Sequence, residues 1–172
     1  AHAAGVLAAC EALLALNADD AEAAANCTAF YRFTGAPTER FMTRAAERRP
    51  NAAGWQMAAV WAILDADPTA VGRARLFLDR AAGLAPEGRN AAPVAAARLF
   101  AAHEAWMQNR PHDALRIADA VAAATATLTG EAREAVAEEL WPMYLDLGQL
   151  DRAEQIITST DDAAERRISQ TI

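Results

Sequence analysis

The chain has 172 residues, enough for one compact domain or several stacked helix pairs, and carries a formal net charge of −7 with a pI of about 4.9. Nucleic-acid binding is not expected of it, because phosphate contacts need clustered positive charge, and an acidic surface is repelled by anionic membranes. All sixteen basic residues are Arg, which excludes a Walker-type phosphate loop, a Schiff-base lysine and a Ser–Lys dyad within these residues.

The charge is uneven. Residues 1–90 hold nine Arg against ten acids, and residues 91–172 hold seven Arg against thirteen. Hydrophobic residues make up 53% and aromatic residues 6%, the difference being largely alanine. Alanine favours helix but adds little bulk. The core must lean on anchors such as Phe30, Phe41, Trp61, Phe77, Leu99, Phe100, Leu140 and Tyr144. The Arg and Ala usage suits a GC-rich, bacterial genome. No apolar run reaches transmembrane length, and the first ten residues lack the charged start of a signal peptide. The chain begins at Ala1, so a fragment or processed product of a longer chain is expected, and the compartment stays open between cytoplasm and export.

Residues 2–16 read as an alanine-rich helix. Asp19 and Asp20 favour the start of the next, which runs to about Phe33, where Gly35 and Pro37 break it. Thr38 can cap a helix over 39–48, ended by Pro50, and Asn51 can cap 52–65. Asp67-Pro68 reads as N-cap and first helical residue of a helix to Ala82, stopped by Gly83 and Pro86. Asn90 can cap 91–108. Arg110-Pro111 restarts the chain into 112–125, and Thr129-Gly130 separates this from 131–147. Gly148 ends that helix, 149–158 follows, and Ser159-x-x-Asp162 suggests a last helix over 161–170. Pro142 lies inside the 131–147 helix, so a kink near Glu138 or a break at Leu140-Trp141 is expected there. Apolar residues recur every three or four positions throughout, which predicts an all-α chain of about ten helices.

The breakpoints Asn17, Pro50 and Pro86 lie 33 and 36 residues apart, with two helices per interval. In Leu140–Ala153, the residues Tyr144, Gly148, Leu150 and Ala153 fall where a tetratricopeptide repeat places its aromatic, turn glycine, apolar anchor and small packing residue. Ala102, Asn109, Ala114, Ala118 and Val121 match a second unit, and Trp61, Leu64, Ala74, Leu78, Ala81 and Pro86 a third. The chain therefore resembles the tetratricopeptide-repeat family over nearly its whole length. That resemblance implies an α-solenoid of antiparallel helix pairs, a single domain with approximate repeats at 19–50, 51–86, 90–127 and 130–160, flanked by helices 2–16 and 161–170.

It also implies a concave groove lined by the first helix of each pair. Carried over residue by residue, the groove positions are Cys27, Phe30 and Tyr31, then Trp55 and Asp65, then His103, Trp106 and Met107, then Glu138, Pro142, Leu145 and Asp146. Tyr31, Trp55, Trp106 and Met107 could grip an apolar or helical peptide, since aromatic side chains and Met make adaptable anchors. The same residues would equally serve packing between repeats. The Lys-based clamp for a terminal carboxylate found in some members is not supported here.

Arg40, Arg44 and Arg48 recur every four residues and make a positive stripe, either a docking site for an acidic partner or a solvated face partly neutralised by Glu39 and Glu47. His103-Glu104 and His112-Asp113 place two histidines nine residues apart, not the four that sets two ligands on one helix face, so no metal is expected. Glu131, Glu134, Glu138 and Glu139 crowd one helix and read as a solvated face. Cys10 and Cys27 are placed symmetrically about the turn at Ala18-Asp19, which sets them at one height in a helix pair. They would form a disulfide in an oxidising compartment and remain buried thiols in a reducing one. No catalytic residue and no cofactor are expected. The expected role is a scaffold binding a protein or peptide, or another domain of the same chain. The alternatives are a regulatory or substrate-recognition part of a larger enzyme and a self-associating module.

Overall fold

The computed structural model describes residues 2–16, 21–34 and 38–159. Among these the chain forms α-helices joined by turns, with no strand. The helices are α1 (His2–Ala15), α2 (Ala21–Thr34), α3 (Thr38–Arg48), α4 (Ala53–Ala66), α5 (Val71–Ala82), α6 (Ala91–Met107), α7 (Pro111–Thr125) and α8 (Gly130–Asp146), followed by α9 over 150–159. A 3-10 turn, Gly88–Asn90, leads into α6. The expected helix over 161–170, the Ser159–Asp162 capping pair and the breaks at Asp19-Asp20 and Gly35-Pro37 lie wholly or partly outside the described residues.

The start of α5 differs from expectation. Asp67 is extended at the end of α4, and its Oδ1 accepts from the Thr69 N–H at 3.0 Å and the Thr69 hydroxyl at 2.6 Å. That local turn uses up the carboxylate, so α5 begins four residues later, at Val71, behind Ala70. The same two bonds hold the Asp67 carboxyl below its ordinary range.

The chain divides into two compact units, Ala1–Ala85 and Pro86–Ile172. In the first, Met42, Trp55, Val60 and Ile63 are fully buried, and Tyr31 stacks on Phe41 with ring centroids 4.6 Å apart. Cys10 and Cys27 are joined in a disulfide that ties α1 to α2, with Cα atoms 5.9 Å apart. Gln56 is buried and its Nε2 donates to the carbonyls of Ala46 at 2.7 Å and Arg49 at 2.8 Å, closing the end of α3. Arg49 is also buried; its guanidinium donates to the Leu13 carbonyl at 2.6 Å and lies 5.1 Å over the Trp55 ring. Exposed ion pairs Arg32–Asp65 and Arg73–Glu39 join α2 to α4 and α5 to α3. Such pairs add little to stability.

In the second unit, Leu99, Ala102 and Ala105 of α6, Ala114, Ala118 and Val121 of α7, Val136, Leu140, Met143 and Tyr144 of α8 and Ala153 of α9 form one buried cluster. Alanines on α6 and α7 let these helices approach closely, and Met143 and Tyr144 fill the space that remains. Helix α8 runs unbroken through Pro142, so the break at Leu140-Trp141 does not occur. Proline inside a helix costs about 3 kcal/mol, and burial of a large apolar side chain returns about 1.5–3 kcal/mol. Leu140, Met143 and Tyr144 together outweigh the loss.

Two turns in this unit are alike. After α6, Asn109 has φ +57, its N–H donates to the Trp106 carbonyl, and the Arg110 N–H reaches the Ala105 carbonyl. After α8, Gly148 has φ +68, its N–H donates to the Leu145 carbonyl, and the Gln149 N–H reaches the Tyr144 carbonyl. Each is a left-handed helix stop with the paired six-to-one and five-to-two bonds. Five residues after each stop sits a fully buried alanine, Ala114 and Ala153.

The Tyr144 hydroxyl donates to Asp119 Oδ1 at 3.0 Å, while Arg152 bonds the same carboxylate and lies over the ring. Burial, then this bond and the charge of Asp119, push the Tyr144 phenol up to about 12. A raised folded-state value favours the folded chain below the unfolded phenol's range near 10, and that contribution is lost as pH rises toward 12. Tyr144 should therefore stay un-ionised at pH 10.5 in the folded protein. Stability should fall by on the order of 1–2 kcal/mol between about pH 10 and 12. Tyrosinate absorbance of a Tyr31→Phe variant checks this: ionisation of Tyr144 near 10 while the fold persists would contradict it.

Candidate functional site

The groove residues expected from the repeat pattern separate into two groups. Tyr31 and Trp55 are core residues, and Cys27 is buried in the disulfide, so the expectation that they line a surface groove is overturned. Trp55 packs within α4 under Arg49, and Tyr31 is held between α2 and α3 by Phe41. Trp61, expected in the core, is instead 45% exposed. The two tryptophans exchange roles because six residues along a helix turn a side chain through about 240°. The two rings therefore point to different sides of α4, and alanine on both sides gave the sequence no contrast with which to tell which side meets solvent. Phe30 is partly buried, and Asp65 is exposed and paired with Arg32.

The residues from α6 and α8 come together on the surface of the second unit. His103 Nδ1 lies 3.2 Å from the Leu99 carbonyl, and its Nε2 faces Asp146 Oδ2 at 3.7 Å. That contact sets the C-terminal turns of α6 and α8 side by side. Met107 is 76% exposed one turn beyond His103, Trp106 is 39% exposed, and Leu145 on α8 is 41% exposed. Glu138 and Glu139 are exposed on α8, and Pro142 is partly buried between them and Asp146. Although Glu139 reaches solvent, the protein atoms crowded around its carboxyl desolvate it, and this together with the neighbouring Glu138 pushes the carboxyl up, with His103 pulling it partly back. The face thus combines three solvated apolar side chains with a negative fringe.

Arg40, Arg44 and Arg48 are exposed along α3. Glu39, expected to neutralise the stripe, is engaged by Arg73 of α5 at 2.5 Å. Arg49, the next residue in the chain, turns into the core instead. His112 is exposed at the start of α7. Among the described residues no group of three or more His, Cys, Asp or Glu is placed to hold a metal ion, and no helix is long and apolar enough to cross a membrane.

No protein-family model, curated protein or solved structure matches this chain.

Proposed function

We propose that the chain is a tetratricopeptide-like interaction module that binds a peptide or partner protein on the face formed by the C-terminal turns of α6 and α8. The observation that carries this reading is the pair of matching turns. Stops at Asn109 and Gly148 fall in the same register relative to Ala114 and Ala153, and the residues just before them, Trp106 and Leu145, are both solvated. A helix–turn–helix unit used twice presents the same positions twice, which is how repeat proteins build an extended binding face. Partly exposed Trp and exposed Met are suited to carry binding energy there. A face preformed by packed helices lowers the ordering cost of association.

Trp106→Ala and Met107→Ala together should weaken partner capture from native lysate at least tenfold, a loss of about 1.4 kcal/mol or more. The circular-dichroism spectrum and melting midpoint should stay within a few degrees of the parent. Unchanged capture by the double variant, or loss of its helix signal, would remove the face from the reading.

A further inference from the structure

We propose that the α6/α8 face takes a cationic amphipathic segment, one that sets an apolar side chain against Trp106, Met107 and Leu145 and a Lys or Arg among Glu138, Glu139 and Asp146. This rests on the reading of that face as a docking surface, and it names the partner's chemistry.

Four observations converge on it. The first is arrangement. The His103–Asp146 contact sets the ends of α6 and α8 together, so the apolar and acidic side chains occupy one surface. On α8, Glu138, Glu139, Leu145 and Asp146 fall within an arc of about 120°, opposite buried Leu140, Met143 and Tyr144. The second is the sign of the field. The C-terminal turn of a helix carries partial negative charge on its last carbonyls; here two such turns lie side by side with Asp146 in one of them, and Glu138 and Glu139 extend the negative charge about two turns back along α8. Cations are favoured there and anions are rejected.

The third is where three of the unit's guanidinium groups are engaged. Arg110 and Arg116 are engaged by Asp113, and Arg152 by Asp119. These guanidinium groups are placed on α7 and its neighbours and not among Glu138, Glu139 and Asp146. Glu138 adds like-charge repulsion to the Glu139 carboxyl, which His103 offsets in part, and an arriving cation would relieve that repulsion further. The fourth is Pro142. It has no N–H to give the Glu138 carbonyl, so that carbonyl lacks its usual helical donor beside the acidic fringe. A guanidinium or ammonium group can supply the missing donor.

The test uses three fluorescein-labelled helical peptides of about four turns with identical Leu positions, whose polar face is Arg, Gln or Glu. Binding is read by anisotropy against the full chain. The Arg peptide should bind at least tenfold more tightly than the Glu peptide, and the gap should shrink as salt is raised. The combined variant Glu138→Gln, Glu139→Gln, Asp146→Asn should weaken the Arg peptide about tenfold, the sum of several exposed charge pairs. A control with as much charge removed elsewhere, Glu131→Gln, Asp151→Asn, Glu154→Gln, should leave it within about twofold. Equal weakening by the control would overturn the proposal, since net charge alone would then explain the preference. Equal binding of all three peptides, abolished by Trp106→Ala with Met107→Ala, would overturn the cationic preference and leave the docking face standing. Binding of none would overturn the proposal, while the capture experiment above decides the docking reading separately.

Discussion

Replacing Trp55 with alanine should destabilise the first unit by on the order of 4 kcal/mol, the range found for large aromatic side chains removed from packed interiors. Trp55 has no solvent exposure, and its ring also supports the buried Arg49 guanidinium. The truncation leaves both a cavity and a buried cation with one fewer face against it, and alanine cannot restore either. The matched change Trp106→Ala should cost less than about 1 kcal/mol, because that ring is already partly in water. Urea unfolding followed by circular dichroism separates the two. Similar midpoints for both variants would show that the assignment of one tryptophan to the core and the other to the surface is mistaken.

The second large effect concerns Cys10 and Cys27. Their bond closes a loop with a sequence separation of 17. Constraining a loop of that size in the unfolded chain is worth about 3 kcal/mol. The double variant Cys10→Ala, Cys27→Ala, or the parent in strong reductant, should therefore lose about that much stability in the first unit. The second unit holds neither residue, so its own transition should stay where it was. The loss has a structural companion. Helix α1 supplies the Leu13 carbonyl to Arg49, and a loosened α1 withdraws that acceptor from a buried guanidinium. Alkylation under native, non-reducing conditions gives the complementary reading: modification of either thiol without reduction would reject the bond. An unchanged unfolding midpoint in reductant would show that α1 is held by packing alone.

The helices were legible in the sequence because their boundaries are written in residues with local effects. Pro50, Gly83, Pro86, Pro111 and Gly148 each act on their own backbone, and the observed ends follow them within a few residues. The start of α5 is the exception, because a side-chain turn at Asp67 competes with capping over the same four residues. Which face each helix buries was harder to read. Helix α4 is apolar on nearly every side, so Trp55 and Trp61 look alike until the neighbouring helices are in place. On α8 the charged residues mark the outer side, and Glu138, Leu145 and Asp146 are exposed. Gln56 carried no signal at all. Its value lies in two carbonyls, those of Ala46 and Arg49, that it meets only once α3 and α4 have packed.

The two helix stops of the second unit also bear on how far sequence can vary around one turn. Aligned on Asn109 and Gly148, positions 102–115 and 141–154 share one residue, the alanine at 114 and 153. Both turns have a left-handed residue at the stop and the same pair of main-chain bonds. Those bonds are made by peptide groups, which every sequence possesses, so side chains around them can drift freely provided that one position tolerates a left-handed turn and another stays small. A turn held this way keeps its dihedral angles while the letters around it change. A comparison that scores residue identity has a single position in fourteen on which to recognise that these two segments are alike.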